Sequence, residues 1–217
     1  LITTAKGQHL LVDTAPELRL QILQAGIRSV EAVLYTHMHA DHTHGFDDLR
    51  AFFFKSHEPV HVYLLPQYRE ELKQRFAYAF QDTGYLGTKP QIEVHDIPRQ
   101  PFAIGESLIE PVVLPHGNVE SCAFRVGRFA YATDFKEFSP DQIAAWRGKV
   151  DVMVASGIHF GQHRTHSTIP ETLALFAELG VKQGYITHLS HEVDQERDAH
   201  RLPDNVKLAY DGMVIDL

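Results

Sequence analysis

The apolar run Ala32-Val33-Leu34-Tyr35 leads directly into Thr36-His37-Met38-His39-Ala40-Asp41-His42. Four apolar residues followed by polar ones predict a buried strand, and in an extended chain alternate side chains share a face. His37 and His39 therefore point to one side, where a single metal ion can take both. Asp41 and His42 fall where the chain should turn into the helix suggested by Gly45-Phe46-Asp47-Asp48-Leu49-Arg50, so they can aim at a second position beside the first. Two adjacent cations are the expectation. A histidine-rich exposed loop is the plain alternative, and this spacing of three histidines and an aspartate behind a strand weighs against it. Imidazole and carboxylate donors suit Zn, Mn or Fe, whereas a thiolate cage is excluded because the chain has a single cysteine.

A chain of 217 residues with 44% hydrophobic content can bury a full core. Its length fits one large α/β domain spanning residues 1–217. The lone Cys122 makes a disulfide framework impossible and a reducing cytoplasm the default compartment. No run approaches the roughly 18 apolar residues that a membrane-spanning helix needs. The formal charge of −8 argues against a grip on nucleic acid backbones and favours a small substrate. Two bound cations would still make an anionic ligand welcome. A homodimer is compatible with this composition.

Leu10 to Asp13 and Ala32 to Tyr35 read as strands enclosing a helix from Pro16 to Ala25, closed by Gly26. A helical stretch over Leu49 to Phe54, a strand from Val60 to Leu65 and an amphipathic helix from Gln67 to Phe80 follow, then a loop over residues 82–90. Short strands come next around Ile92 to His95, Leu108 to Leu114, Cys122 to Val126 and Phe129 to Ala132. A helix from Ser139 to Trp146 has Ser139 as its cap and precedes a strand from Val150 to Ala155. Ile169 to Leu179 is a helix, Gln183 to Thr187 a strand, and strands close the chain over Val206 to Leu217. Two β-rich stretches flanked by helices predict an α/β chain built as an αββα four-layer sandwich. The run of short middle strands speaks against a doubly wound sheet. Leu1 to Thr4 already reads as strand, so a first N-terminal strand is expected upstream.

Three later elements share one form, an apolar strand followed at once by a ligand-type residue. They end in His116, Asp134 and His188. Each alone is weak, since a His or Asp after a strand is more often a turn or loop residue. Together with the first motif they supply further nitrogen ligands and a carboxylate able to bridge two cations. No Gly-x-x-x-x-Gly-Lys-Ser/Thr loop and no Gly-x-Ser-x-Gly elbow is present, which leaves metal chemistry.

His37-Met38-His39-Ala40-Asp41-His42 resembles the His-x-His-x-Asp-His signature of the metallo-β-lactamase superfamily, and His116, Asp134 and His188 follow in that family's order. The resemblance implies the metallo-β-lactamase fold and two divalent ions, Zn or Mn, with Fe also suited. It implies that His37, His39 and His116 hold one ion, that Asp41, His42 and His188 hold the other, and that Asp134 bridges. Asp13 resembles the family's buried aspartate near the site, although a strand-end turn accounts for it equally well. Leu11 to Arg19, His42 to Arg50 and Thr187-His188-Leu189-Ser190-His191 resemble the cyclic phosphodiesterases of the carbon-phosphorus lyase pathway and their relatives. That group usually carries a Gly-Thr-Ser strand earlier in the chain, and often a cysteine-rich structural zinc site; neither is in this sequence.

Thr165-His166-Ser167-Thr168 precedes the helix at Ile169. Helix capping accounts for Ser167 or Thr168 but not for His166. In phosphodiesterases of the resembled superfamily, a His-x-Thr element at such a helix contacts the phosphate and assists the leaving group. His166 is assigned that role, with His163 and His159 as neighbouring competitors. The implied activity is hydrolysis of a small, in some cases cyclic, phosphodiester, with Asp134 and His166 as catalytic residues. Lactonase or thioesterase chemistry, tRNA 3′-processing and a non-catalytic metal-binding module are the rivals.

Overall fold

The computed structural model describes residues 1–82, 84 and 87–217. The chain divides into two compact units, Leu1–Pro98 and Arg99–Leu217.

The first unit holds a five-stranded sheet of β1 (Ile2–Thr3), β2 (His9–Val12), β3 (Ala32–Leu34), β4 (Val60–Leu64) and β5 (Ile92–Asp96), in that order across the sheet. β1 pairs antiparallel with β2, and every later pair is parallel. Central parallel strands are covered on both faces and so read as unbroken apolar runs. Ala32, Val33 and Leu34 are accordingly buried completely. Towards β5 the alternation returns: Val60, Val62 and Leu64 are buried, while His61 and Tyr63 lie half-buried on the opposite face.

Among the described residues, five α-helices accompany this sheet: α1 (Leu18–Gln24), α2 (Ala40–Thr43), α3 (Arg50–Ser56), α4 (Arg69–Arg75) and α5 (Ala77–Phe80). The single turn α2 carries Asp41 and His42, so the chain becomes helical earlier than Gly45, and a 3-10 turn over Phe46–Leu49 then feeds α3. The helix expected over Gln67 to Phe80 is broken. Phe76 leaves helical geometry at φ −114 and ψ 41, and its ring stacks 4.2 Å from that of Phe46. Burying such a ring is worth about 1.5–3 kcal/mol, against roughly 1 kcal/mol net for one helical hydrogen bond, so the packing wins. The loop expected over residues 82–90 falls partly outside the described residues.

The second unit holds a seven-stranded sheet of β6 (Phe102–Ile104), β7 (Ser107–His116), β8 (Val119–Val126), β9 (Phe129–Ala132), β10 (Val152–Ser156), β11 (Gln183–Thr187) and β12 (Val206–Leu208), ordered from β6 at one edge to β12 at the other. β6 to β9 form an antiparallel meander, and β9 to β12 run parallel. α6 (Pro140–Trp146), α7 (Ile169–Leu179) and α8 (Gln195–Asp198) complete it. Phe135, Trp146, Phe176, Leu179 and Ile186 are among the buried residues of one apolar core. Ser139 with Gln142, and Thr168 with Glu171, make reciprocal capping boxes that start α6 and α7 where the sequence placed them.

β6 and α8 were not anticipated, each being too short to show a period. β7 runs on through Pro111 and Pro115 to His116, which is the last residue of the strand and not the residue after it. β6 pairs only with Ser107 to Ile109, so beyond that point β7 is an edge, where proline is tolerated. The strands expected over Val206 to Leu217 reduce to β12, since Val214 and Leu217 are 84% and 72% exposed and have no core to join. No helix among the described residues is long and apolar enough to cross a membrane.

Candidate metal centre

In the first unit the site begins with Asp13. The β2–β3 register sets Val12 opposite Leu34, so Asp13 arrives beside the start of the histidine segment. Its backbone takes φ 59, a left-handed conformation that Asp tolerates better than most residues. The buried carboxylate accepts three hydrogen bonds, from the Thr36 amide at 2.8 Å, the Thr36 hydroxyl at 2.8 Å and His42 Nδ1 at 2.7 Å.

Those bonds fix two tautomers. His42 must carry its proton on Nδ1, because a carboxylate only accepts. Thr36 has one hydroxyl proton and spends it on Asp13, so at its 3.0 Å contact with His37 Nδ1 the imidazole is the donor. Both histidines are therefore left with Nε2 as the lone-pair nitrogen, the form a metal ligand needs. The His37 ring lies 4.4 Å from that of His39 and 4.3 Å from that of His42. Asp41 Oδ2 stands 3.3 Å from His42 Nε2. His37 and His42 are buried, while His39 and Asp41 are exposed.

Arg75, to which no sequence signal pointed, braces this segment from α4. Its guanidinium donates to the Met38 carbonyl and, at 2.9 Å, to Thr43 Oγ1, which donates in turn to the His39 carbonyl at 3.0 Å.

In the second unit His116, Asp134, His166 and His188 come together. Asp134 follows β9 and His188 follows β11, and both take left-handed backbone, at φ 52 and φ 55. Such strain in residues other than glycine collects at functional sites. Asp134 Oδ1 lies 3.2 Å from His188 Nε2, 3.3 Å from His166 Nδ1 and 3.8 Å from His116 Nε2. Its other oxygen accepts from Thr133 Oγ1 at 2.8 Å. His116 Nδ1 donates to the Thr165 carbonyl at 3.2 Å, so here too Nε2 carries the lone pair.

His166 stacks on His188 at 5.2 Å and meets His116 edge-on at 4.6 Å. Burial pushes its pKa down to about 4, assisted by His116, His188 and His163 and opposed by Asp134. The imidazole is therefore neutral at pH 7. His163 and His159 are turn formers: His163 Nδ1 accepts from the Thr165 and His166 amides, and His159 Nδ1 from Gly161. Lys136, also unanticipated, ties the loop to α7 by donating to the His163 and His166 carbonyls and to Glu171.

The donors in each unit are imidazoles and carboxylates, with the Nε2 lone pairs of His37, His42 and His116 set by their hydrogen bonds, and they fit a divalent cation of the Zn or Mn kind. Residues 8–189 match the beta-lactamase superfamily domain, and the chain belongs to that family. Its mixed sheets and flanking helices are those of the metallo-β-lactamase fold, as the resemblance implied, in a family largely of hydrolases.

A solved diphosphatase from the PhnP family is 30% identical, with a TM-score of 0.89 over 99% of this chain and 82% of that one. An octanoyltransferase of Porphyromonas gingivalis is 30% identical over 98% of this chain, but the chain spans only 43% of that relative's length. The metallo-β-lactamase fold protein YhfI from Bacillus subtilis, at 20% identity and a TM-score of 0.76, covers 95% of this chain and 86% of its own, and shares the fold.

Proposed function

We propose that the chain is a dinuclear metal-dependent phosphodiesterase acting on small phosphodiesters, cyclic ones among them. The observation that carries this reading is His166, whose imidazole is held 3.3 Å from the Asp134 carboxylate at the entrance to α7. The ligand set proposed below is filled without His166, although its ring stands with His116 and Asp134 in a group that could hold an ion, and helix capping is met by Thr168. The likeness to a diphosphatase over most of both chains supports attack at phosphorus rather than at an acyl carbon.

In this proposal His37, His39 and His116 hold one ion, Asp41, His42 and His188 hold the other, and Asp134 is shared. The support is the sequence signature, the family, and the tautomers set by Asp13 and Thr165. When bound, the ions acidify water towards neutral pH and draw charge from phosphoryl oxygens. Asp134 would orient the attacking water, whose proton is lost to solvent. As the new P–O bond forms and the ester P–O bond breaks, His166 donates a neutral N–H hydrogen bond to the phosphoryl or leaving oxygen. The departing alkoxide takes a proton from solvent and leaves as the alcohol.

Carbonyl chemistry is the rival, because the same cage can attack an acyl carbon. The test is to reconstitute the metal-free protein with Mn or Zn and assay linear phosphodiester, cyclic phosphodiester, lactone and acyl thioester substrates side by side. Turnover confined to the phosphate esters is expected. Turnover confined to the lactone or thioester overturns the assignment.

A further inference from the structure

His61, Glu93 and His95 play no part in the ligand set above, yet they gather on one face of the first unit's sheet. In the parallel pairing of β4 with β5, His61 lies opposite Glu93 and Tyr63 opposite His95. Directly paired residues share a face, and the diagonal neighbour is within reach of a long side chain. His61 and His95 converge on that diagonal. Tyr63 packs flat on the His95 ring, with centroids 4.7 Å apart and planes 21° from parallel, and fixes its orientation.

The three donor separations decide what the cluster is for. His61 Nδ1 lies 3.0 Å from His95 Nε2, and the Glu93 oxygens lie 3.7 Å from the former and 3.6 Å from the latter. The carboxylate is too far from either ring for a hydrogen bond. A tetrahedral ion with ligands at about 2.0–2.1 Å keeps them roughly 3.3 Å apart, and one ligand atom from each of His61, Glu93 and His95 lies within 4.8 Å of the other two. A hydrogen bond between the rings would account for the pair of histidines but not for a carboxylate drawn up to both at that spacing. With side chains 44%, 57% and 30% exposed, the site is open to ions from solvent and leaves a fourth position for water.

We propose that His61, Glu93 and His95 form an additional transition-metal site, taking Zn²⁺ or a cation of similar preference. Two imidazoles and one carboxylate are a donor set that zinc uses with one coordination position left open. β5 is the last strand of its sheet, and a bound ion would tie that edge to β4 through side chains as well as through the backbone ladder.

The test is a count. The full chain is stripped of metal, dialysed to equilibrium against a fixed micromolar concentration of free Zn²⁺, and its bound zinc is measured by atomic emission. His95→Gln and Glu93→Gln should each bind one ion per chain fewer than the unaltered protein, and His57→Asn, at an exposed histidine elsewhere, should bind the same number. Because the readout is a difference, it does not depend on how many ions the proposed catalytic ligands take. The same count in both cluster variants as in the unaltered protein overturns the site, as does an equal fall in His57→Asn.

Discussion

Asp13 does more at the level of single residues than its place outside the ligand set suggests. One carboxylate, acting directly on His42 and through Thr36 on His37, chooses which nitrogen each imidazole presents. Asp13→Asn keeps the volume but replaces one acceptor oxygen with a donor, leaving His42 Nδ1 or Thr36 without its partner. Metal affinity should fall about 10–100-fold, measured by competition with a chelator, and an unchanged affinity would remove Asp13 from this role. His166→Ala should behave in the opposite way. Loss of one preorganised donor lowers kcat by roughly 10²–10³ while metal content stays the same, and intact turnover contradicts the assignment. The histidines and aspartates that gather in each unit stood out in the sequence because metal chemistry restricts residue type and spacing. Arg75 and Lys136 were not, since an arginine or lysine on a helix or loop looks like any solvated cation until the carbonyls it holds are seen.

Gly45 and the head of the second sheet carry the sharpest element-scale expectations. A Cβ on Gly45 would lie 2.2 Å from the Ala15 carbonyl oxygen and 2.8 Å from Leu18 Cβ, so the turn after α2 can approach α1 only without a side chain. Gly45→Ala should cost about 1–3 kcal/mol, read as a lower Tm, and an unchanged Tm would mean that the turn has room to yield. Arg128, Asp151 and Lys182 clamp the starts of β9, β10 and β11. The hydrogen bond from Arg128, with help from Lys182, draws the Asp151 pKa down to about 2. Because the folded value is the depressed one, this stabilisation is present above the unfolded pKa of about 3.9 and is lost as pH falls through the folded value. Arg128→Ala should therefore lose less Tm between pH 5 and pH 2 than the unaltered protein, and identical slopes would exclude the clamp. Elements with a cap or an apolar run, such as β3, α6 and α7, were legible in sequence. β6 and α8 were too short to show a pattern, and the break at Phe76 follows from a ring stacked on Phe46, a contact distant in sequence.

At the scale of the whole molecule, a negative chain is paired with the cation-dependent chemistry proposed above. A formal charge of −8 offers nucleic acid little backbone attraction, while bound divalent ions would make the site itself attractive to a small phosphate ester. Family and fold were readable from the His-x-His-x-Asp-His run and the later strand-end residues. The choice between phosphate and acyl substrates was carried by a single histidine before α7. The most direct test of the central claim is phosphodiester turnover by metal-free protein as Mn or Zn is added back. Turnover should be absent at the start, appear with added metal and reach a plateau, and the same titration should do nothing in Asp134→Ala. Turnover by the stripped protein, or full restoration in Asp134→Ala, would contradict it.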